Sequence, residues 1–152
     1  MLAAELEQYM HRQIPLSAAM AVAVVLVGED AVTLEAPLAP NVNHRETVFG
    51  GSACAVAILA GWSLLYVRLR AAALTSSLVI QRNTMEYQQP ITGRFTARAS
   101  LEHPERWHSF TAMLARKGKA RVTVTAELEQ AHQVVGRFSG EFVALAAQPG
   151  TR

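Results

Sequence analysis

The stretch Asn41–Arg70, NVNHRETVFGGSACAVAILAGWSLLYVRLR, decides how the rest of the chain is read. It opens as a polar loop, passes through Gly50-Gly51 and continues as a long uncharged segment. From Val48 to Val67 there is no Asp, Glu, Lys, Arg or His. Arg68 and Arg70 follow, where the end of a helix dipole favours cations. The pattern predicts a helix over about Gly51–Arg70. An uncharged run of this length could also span a membrane. This one holds three Gly, two Ser and several Ala, however, and no second run accompanies it. A helix apolar all round is equally at home inside protein, so the reading adopted is one buried helix with the chain wrapped around it.

On its N-terminal side, Leu2–Gln13 has amphipathic helical spacing, with Leu2, Leu6, Tyr9 and Met10 near one face. Pro15 stops it. This helix could be a lid over the core edge or a wall of a substrate pocket. Met20–Val27 is short and Val-rich, Gly28-Glu29-Asp30 supplies a turn, and Ala31–Leu38 alternates apolar and polar residues, so a hairpin is predicted. Pro37 and Pro40 end it and lead into the loop at Asn41.

Beyond the central helix come four strand-like segments. Leu78–Tyr87 is a mixed run. Ile91–Leu101 alternates cleanly, with Ile91, Gly93, Phe95, Ala97, Ala99 and Leu101 on one face. Ala120–Leu128 does the same, and Val134–Leu145 is the last. Such alternation is what a sheet with one buried face requires. Between the second and third lies HPERWHSFTAMLARKGKA, with Pro104 at a helix start, Trp107, Phe110 and Leu114 at helical spacing, and Gly118 at its end. The fold class is therefore α+β. About six antiparallel strands form a curved sheet rolled round the long helix, with a short helix inserted between late strands. The tail from Gln148 is expected to fray.

At 152 residues the length suits a single domain, 1–152. The net charge of +2 is too small to argue for nucleic acid. Twelve Arg against two Lys suit oxyanion recognition or simple codon bias. Cys54 is the sole cysteine, so no disulfide forms within the chain and a reducing cytoplasm is expected. MLAAELEQYMHRQIP carries acids early and lacks a cleavable signal pattern. His103 and His108 do not have the usual metal-pair spacing and no other metal cluster stands out, so no metal is expected.

The chemistry is expected at the helix start. A helix N-terminus offers unpaired N–H groups and partial positive charge. Gly50 and Gly51 remove side chains there, letting a carbonyl approach the backbone, as in an oxyanion hole. A glycine turn packed tightly against strands would have the same sequence.

NVNHRETVFGGS followed by an Ala-rich helix resembles the Asn/His…Gly-Thr…Gly-Gly signature of hotdog-fold acyl-CoA thioesterases. Arg45-Glu46 stand where such motifs often carry a residue and a Gly before Thr47. MEYQQPITGRFTARA is similar to the strand–Pro–strand passage of that superfamily. Those motifs, LAGW, PERW…F…LARKGKARVTVTAEL and GRFSGEFVAL together resemble the thioesterase domain that follows an acetyltransferase domain in YiiD-type bacterial proteins. The resemblance covers nearly the whole chain. It implies a hotdog fold and a homodimer, or a dimer of dimers. Two sites would lie at the subunit interface, each with the helix start from one subunit and Ser77–Tyr87 from the other. It implies hydrolysis of an acyl group on CoA or acyl carrier protein by activated water. The thioester carrier is part of the substrate, and no separate cofactor, nucleic acid or membrane is expected.

Many hotdog thioesterases carry an acid about two turns into the helix. Here that region, Ala55–Gly61, has none, and no acid occurs between Glu46 and Glu86. A carboxylate base must then be Glu46 or Glu86. His44 is the other candidate, since histidine titrates near neutrality. The expected catalytic set is Asn43, His44, Glu46 and Gly51. Asn41, Thr47, Phe49, Gly50, Ser52, Ser77, Asn83 and Thr84 are expected to bind substrate. Asn41 and Asn43 could orient water or cap the loop, and Thr47 is read as the helix N-cap. Ser52 and Cys54 lack an evident base for a covalent route. The LARKGKAR patch is the densest basic segment for CoA phosphates. A binding module without catalysis, or a hydratase or dehydratase using His44, stands as an alternative.

Overall fold

The computed structural model describes residues 1–147. The tail expected to fray from Gln148 lies outside the described residues. Helix α1 (Ala3–Gln13) buries Leu6 and Met10, one turn apart. On the adjoining row, the Glu7 carboxylate accepts the Val24 N–H at 2.8 Å and His11 Nε2 lies 2.7 Å from the Val22 carbonyl. Those bonds pin α1 to the first strand. Pro15 ends α1 as expected, but it also opens a second short helix, α2 (Pro15–Ala19). A proline's fixed φ suits the first helical position, and its missing N–H is no loss there.

Strands β1 (Ala23–Val27) and β2 (Ala31–Ala36) form the hairpin. A 3-10 turn (Ala39–Asn41) and the polar loop lead into helix α3 (Gly50–Ala71). Then come β3 (Ser76–Tyr87), β4 (Phe95–Leu101), a 3-10 turn at Pro104–Arg106, helix α4 (Trp107–Lys117), β5 (Lys119–Gln130) and β6 (Gln133–Ala146). Gly118 ends α4 with φ at 75° and returns its N–H to the Leu114 carbonyl at 2.9 Å. This left-handed cap strongly favours glycine.

The six strands form one antiparallel sheet in the order β1-β2-β4-β5-β6-β3. Its inner face buries Leu34, Phe95, Ala97, Ala99, Val124, Ala126 and Phe142 against Val56, Ala57, Ala60, Leu64 and Leu65 of α3. Gly61 lets the sheet approach closely. A Cβ there would lie 2.9 Å from the Phe142 ring and 3.3 Å from Val124. Helix α3 is long and apolar enough to cross a bilayer by composition, yet 56% of its apolar window is buried in this fold. It is a core helix, and the hotdog architecture is the one observed.

Strand β3 runs back along α3, so Ser76 lies near the helix end and Tyr87 near the helix start. Its pairing with β6 shifts register between Ile80 and Arg82. An extra residue in a strand reverses its alternation. Before the bulge, Ser76, Leu78 and Ile80 are the half-buried residues; after it, Met85 is. Asn83 and Tyr87 share its parity and reach Cys54 and Gly50 of α3. The bulge explains why Leu78–Tyr87 reads as a mixed run with no single period.

Candidate active site

The loop before α3 is built around two asparagines. Asn43 makes an antiparallel rung with Thr47, its N–H donating to the Thr47 carbonyl at 2.8 Å. Its side-chain oxygen accepts the N–H groups of Arg45 at 2.8 Å and Thr47 at 3.1 Å. Its Nδ2 donates to Thr47 Oγ1 at 2.8 Å. Asn43 therefore folds the turn and has little left for orienting a water. Thr47 is committed to the same turn and is not the N-cap. That position belongs to Phe49, and no side chain among the described residues caps the helix.

Asn41 is 1% exposed, and its Nδ2 donates to the Met20 and Pro37 carbonyls at 3.0 and 2.8 Å. Its own carbonyl accepts the Phe49 N–H at 2.7 Å, and the Val48 N–H reaches the Ile91 carbonyl at 2.8 Å. These bonds tie the loop to α2, β2 and β4's approach, and fix where α3 begins. Asn41 is a structural pin, not a cleft residue.

The uncapped first turn follows. Gly50 and Gly51 open α3, and a Cβ at Gly51 would collide with the ring of Phe49, which lies against that face. From β3, Tyr87 donates its hydroxyl to the Gly50 carbonyl at 2.9 Å. One turn along, Cys54 Sγ lies 3.4 Å from Asn83 Oδ1. Burial pushes the Cys54 thiol pKa up. Burial, and then the neighbouring Cys54, push the Tyr87 phenol up.

A cleft of about 570 Å³ opens here. Thr47, Val48, Gly50 and Ala53 form one side, and Met85, Tyr87, Pro90 and Ile91 the other. Arg45, Gln88 and Gln89 add polar groups. His44 and Glu46 sit exposed on the turn, flanking Arg45, at the rim instead of in the lining. Glu46 holds a left-handed backbone, φ 61°. Ser52 is half-buried beside Gly51. Thr84 faces the opposite surface of the sheet, in a shallow depression with Glu86, Thr125, Glu127 and Arg137. Ser77 sits at the far end of β3, about 30 Å along the strand from Tyr87. Within one chain, then, the cleft gathers Thr47 and Gly50, while Gly51 and Phe49 flank Gly50 in sequence without lining it. It does not gather Ser77 or Thr84.

Tyr87 and Met85 line the cleft, yet nothing in the period of their local sequence singles them out. Their parity depends on the bulge, which no local pattern marks. A signal for Tyr87 does exist: an aromatic closing a strand just ahead of Gln88-Gln89-Pro90.

A family model described as "Putative thioesterase (yiiD_Cterm)" matches residues 3–146. The chain belongs to the YiiD_C family. Solved structures agree in fold. A protein of unknown function from Chlorobaculum tepidum TLS superposes with a TM-score of 0.88 at 27% identity, over 95% of this chain and 94% of that one. A "putative thioesterase" from Shewanella oneidensis gives 0.83 at 24% identity, over 94% and 96%. A "probable thioesterase" from Pseudomonas aeruginosa gives 0.80 at 20%, over 96% and 97%. YiiD_C membership supports thioester hydrolysis as the general activity.

Proposed function

We propose that this YiiD_C domain hydrolyses an acyl thioester carried on coenzyme A or acyl carrier protein. The observation behind the proposal is the uncapped two-glycine helix start opening on the cleft. Its first-turn N–H groups carry partial positive charge. The Gly51 N–H is the donor for the thioester oxygen, and it strengthens as that oxygen becomes an oxyanion. Phe49 and Met85 offer apolar contact to the acyl group. A water attacks the carbonyl carbon as a base takes its proton, the C–S bond then breaks, and the thiolate recovers a proton. The products are a carboxylic acid and a free thiol. His44 and Glu46, exposed on the rim either side of Arg45, are the candidate bases.

We further infer a homodimer in the cytoplasm. Among the described residues strand β3 ends the sheet with a free edge, and such an edge pairs readily with another strand. Cys54, Ile58, Trp62 and Tyr66 leave a half-buried stripe along α3 beside it. Twofold pairing of β3 with its copy near the bulge brings the partner's strand start, with Ser77, toward Tyr87.

Thiol release from acyl-CoAs of graded length tests the activity. Replacing the true base, His44→Ala or Glu46→Gln, is expected to lower kcat by about 10²–10⁴-fold; if both variants keep wild-type rates, this assignment is wrong. One observation favours a second reading, an acyl-thioester binding module: among the described residues, no Asp, Glu or His lines the cleft. Tight acyl-CoA binding without thiol release would establish it.

A further inference from the structure

The Gly50 carbonyl and the Gly51 N–H belong to one peptide unit. That unit is planar and trans, so the two groups point in opposite directions. The N–H faces out of the helix start, and the C=O faces along the helix. A glycine on each side leaves this peptide with less steric restraint than any other arrangement of residues. It also lies in a first turn that no side chain caps. The helix ladder of α3 already holds this peptide through its carbonyl, and a second donor on that carbonyl would hold it harder.

Tyr87 supplies that hold. Its hydroxyl donates to the Gly50 carbonyl at 2.9 Å. Its ring lies 3.4 Å from where a Gly50 Cβ would stand, so the ring sits within van der Waals reach of the helix start. The ring is anchored by the β3–β6 ladder, in which Tyr87 pairs with Gly136. The bulge between Ile80 and Arg82 gives Tyr87 the parity that faces α3. The hydroxyl otherwise remains at the mouth of the cleft, where Tyr87 is 58% exposed.

We propose that Tyr87 is a positioning residue: by bonding the Gly50 carbonyl it aims and polarises the Gly51 N–H that receives the thioester oxygen. Hydrogen bonds in a chain strengthen one another, so a donor on the carbonyl makes the N–H of the same peptide a better donor. This rests on the reading that Gly51 is the oxyanion donor. Tyr87 itself touches no reacting atom.

The test is Tyr87→Phe, which keeps the ring and removes only the hydroxyl. Loss of a direct oxyanion donor lowers kcat by 10²–10³-fold, so loss of its support is expected to lower kcat by about tenfold. KM for acyl-CoA should stay within about twofold and the melting temperature close to wild type. A purely structural role would instead lower the melting temperature and leave kcat. In isotope-labelled protein, the Gly50 carbonyl carbon and the Gly51 amide proton should both move upfield in the variant, while Gly61 stays in place. Wild-type kcat in Tyr87→Phe, or unmoved Gly50 and Gly51 resonances, overturns the proposal and leaves the hydrolase reading intact. If wild-type protein releases no thiol from any acyl-CoA, the hydrolase reading fails. The two resonances then decide the link between Tyr87 and Gly51 on their own.

Discussion

At the scale of single residues, two positions separate stability from chemistry. Glu46 holds φ at 61°, which costs a non-glycine residue roughly 1–2 kcal/mol. Its side chain is exposed and makes no ion pair among the described residues. Glu46→Gly should therefore leave the protein as stable as wild type or up to about 1 kcal/mol more so in urea denaturation, because strain relief outweighs the added chain entropy. A clear loss of stability would show that the carboxylate has a native partner. If Glu46 is the base, the same variant loses thiol release while remaining folded. Gly51→Ala tests the cradle. Alanine is favoured over glycine within a helix by about 1 kcal/mol, but its methyl must displace the exposed Phe49 ring. The expected outcome is an unchanged or higher melting temperature with kcat/KM at least about tenfold lower, since the displaced ring and the methyl crowd the carbonyl's approach. Full activity in Gly51→Ala would remove Gly51 from the site.

At the scale of elements, the contact that matters most is α3 on the sheet. Gly61 is buried, and the ring of Phe142 fills the space a side chain would take. Gly61→Leu overpacks the helix–sheet seam and is expected to prevent stable folding. Gly61→Ala should cost about 1–3 kcal/mol. Phe142→Ala, which empties the same seam, should cost about 3–5 kcal/mol. Because the two residues share one space, Gly61→Ala combined with Phe142→Leu should be less destabilising than the sum, read from a double-mutant cycle by chemical denaturation. Strict additivity would mean that the seam relaxes independently at each side. The loop is an element of its own: Asn43 organises it through three side-chain hydrogen bonds.

At the scale of the whole molecule, ionisation sets an alkaline limit. The Cys54 thiol and the Tyr9 and Tyr87 phenols all have raised pKa values, in each case chiefly through burial. The fold therefore prefers their neutral forms. That contribution is complete below the unfolded values and is lost as pH rises through the folded ones. The melting temperature should be level from about pH 7 to 8.5 and fall beyond about pH 9–10, where free thiols and phenols ionise. Cys54→Ala should delay the start of that fall. A profile still level above pH 10 would contradict the burial argument. Sedimentation should give a dimer, because an unpaired β3 and the half-buried stripe of α3 leave apolar surface that a second copy covers. A monomer at tens of micromolar would overturn the two-subunit site.

Composition and period carried much of the fold. The uncharged run from Val48 to Val67 suits the interior of a protein, and the structure packs it against the sheet. The alternation over Ile91–Leu101 and Ala120–Leu128 places inward the residues that the structure buries, apart from the half-buried Gly93 and Val122, although the strand itself begins only at Phe95. Gly118 and Pro104 mark the inserted helix because their backbone restrictions are local. These features are legible because each depends on a residue and its near neighbours in sequence. The loop–glycine–helix stretch Asn41–Arg70 likewise pointed to the place of the site. The site's membership depended on long-range facts. Whether Asn43 faces substrate or its own turn is a matter of which hydrogen bonds close. Whether Tyr87 or Thr84 faces α3 is decided by one extra residue in a strand paired with β6, a strand distant in the chain. Parity along a strand is a property of its pairing, so only the tertiary structure could bring Tyr87 to Gly50.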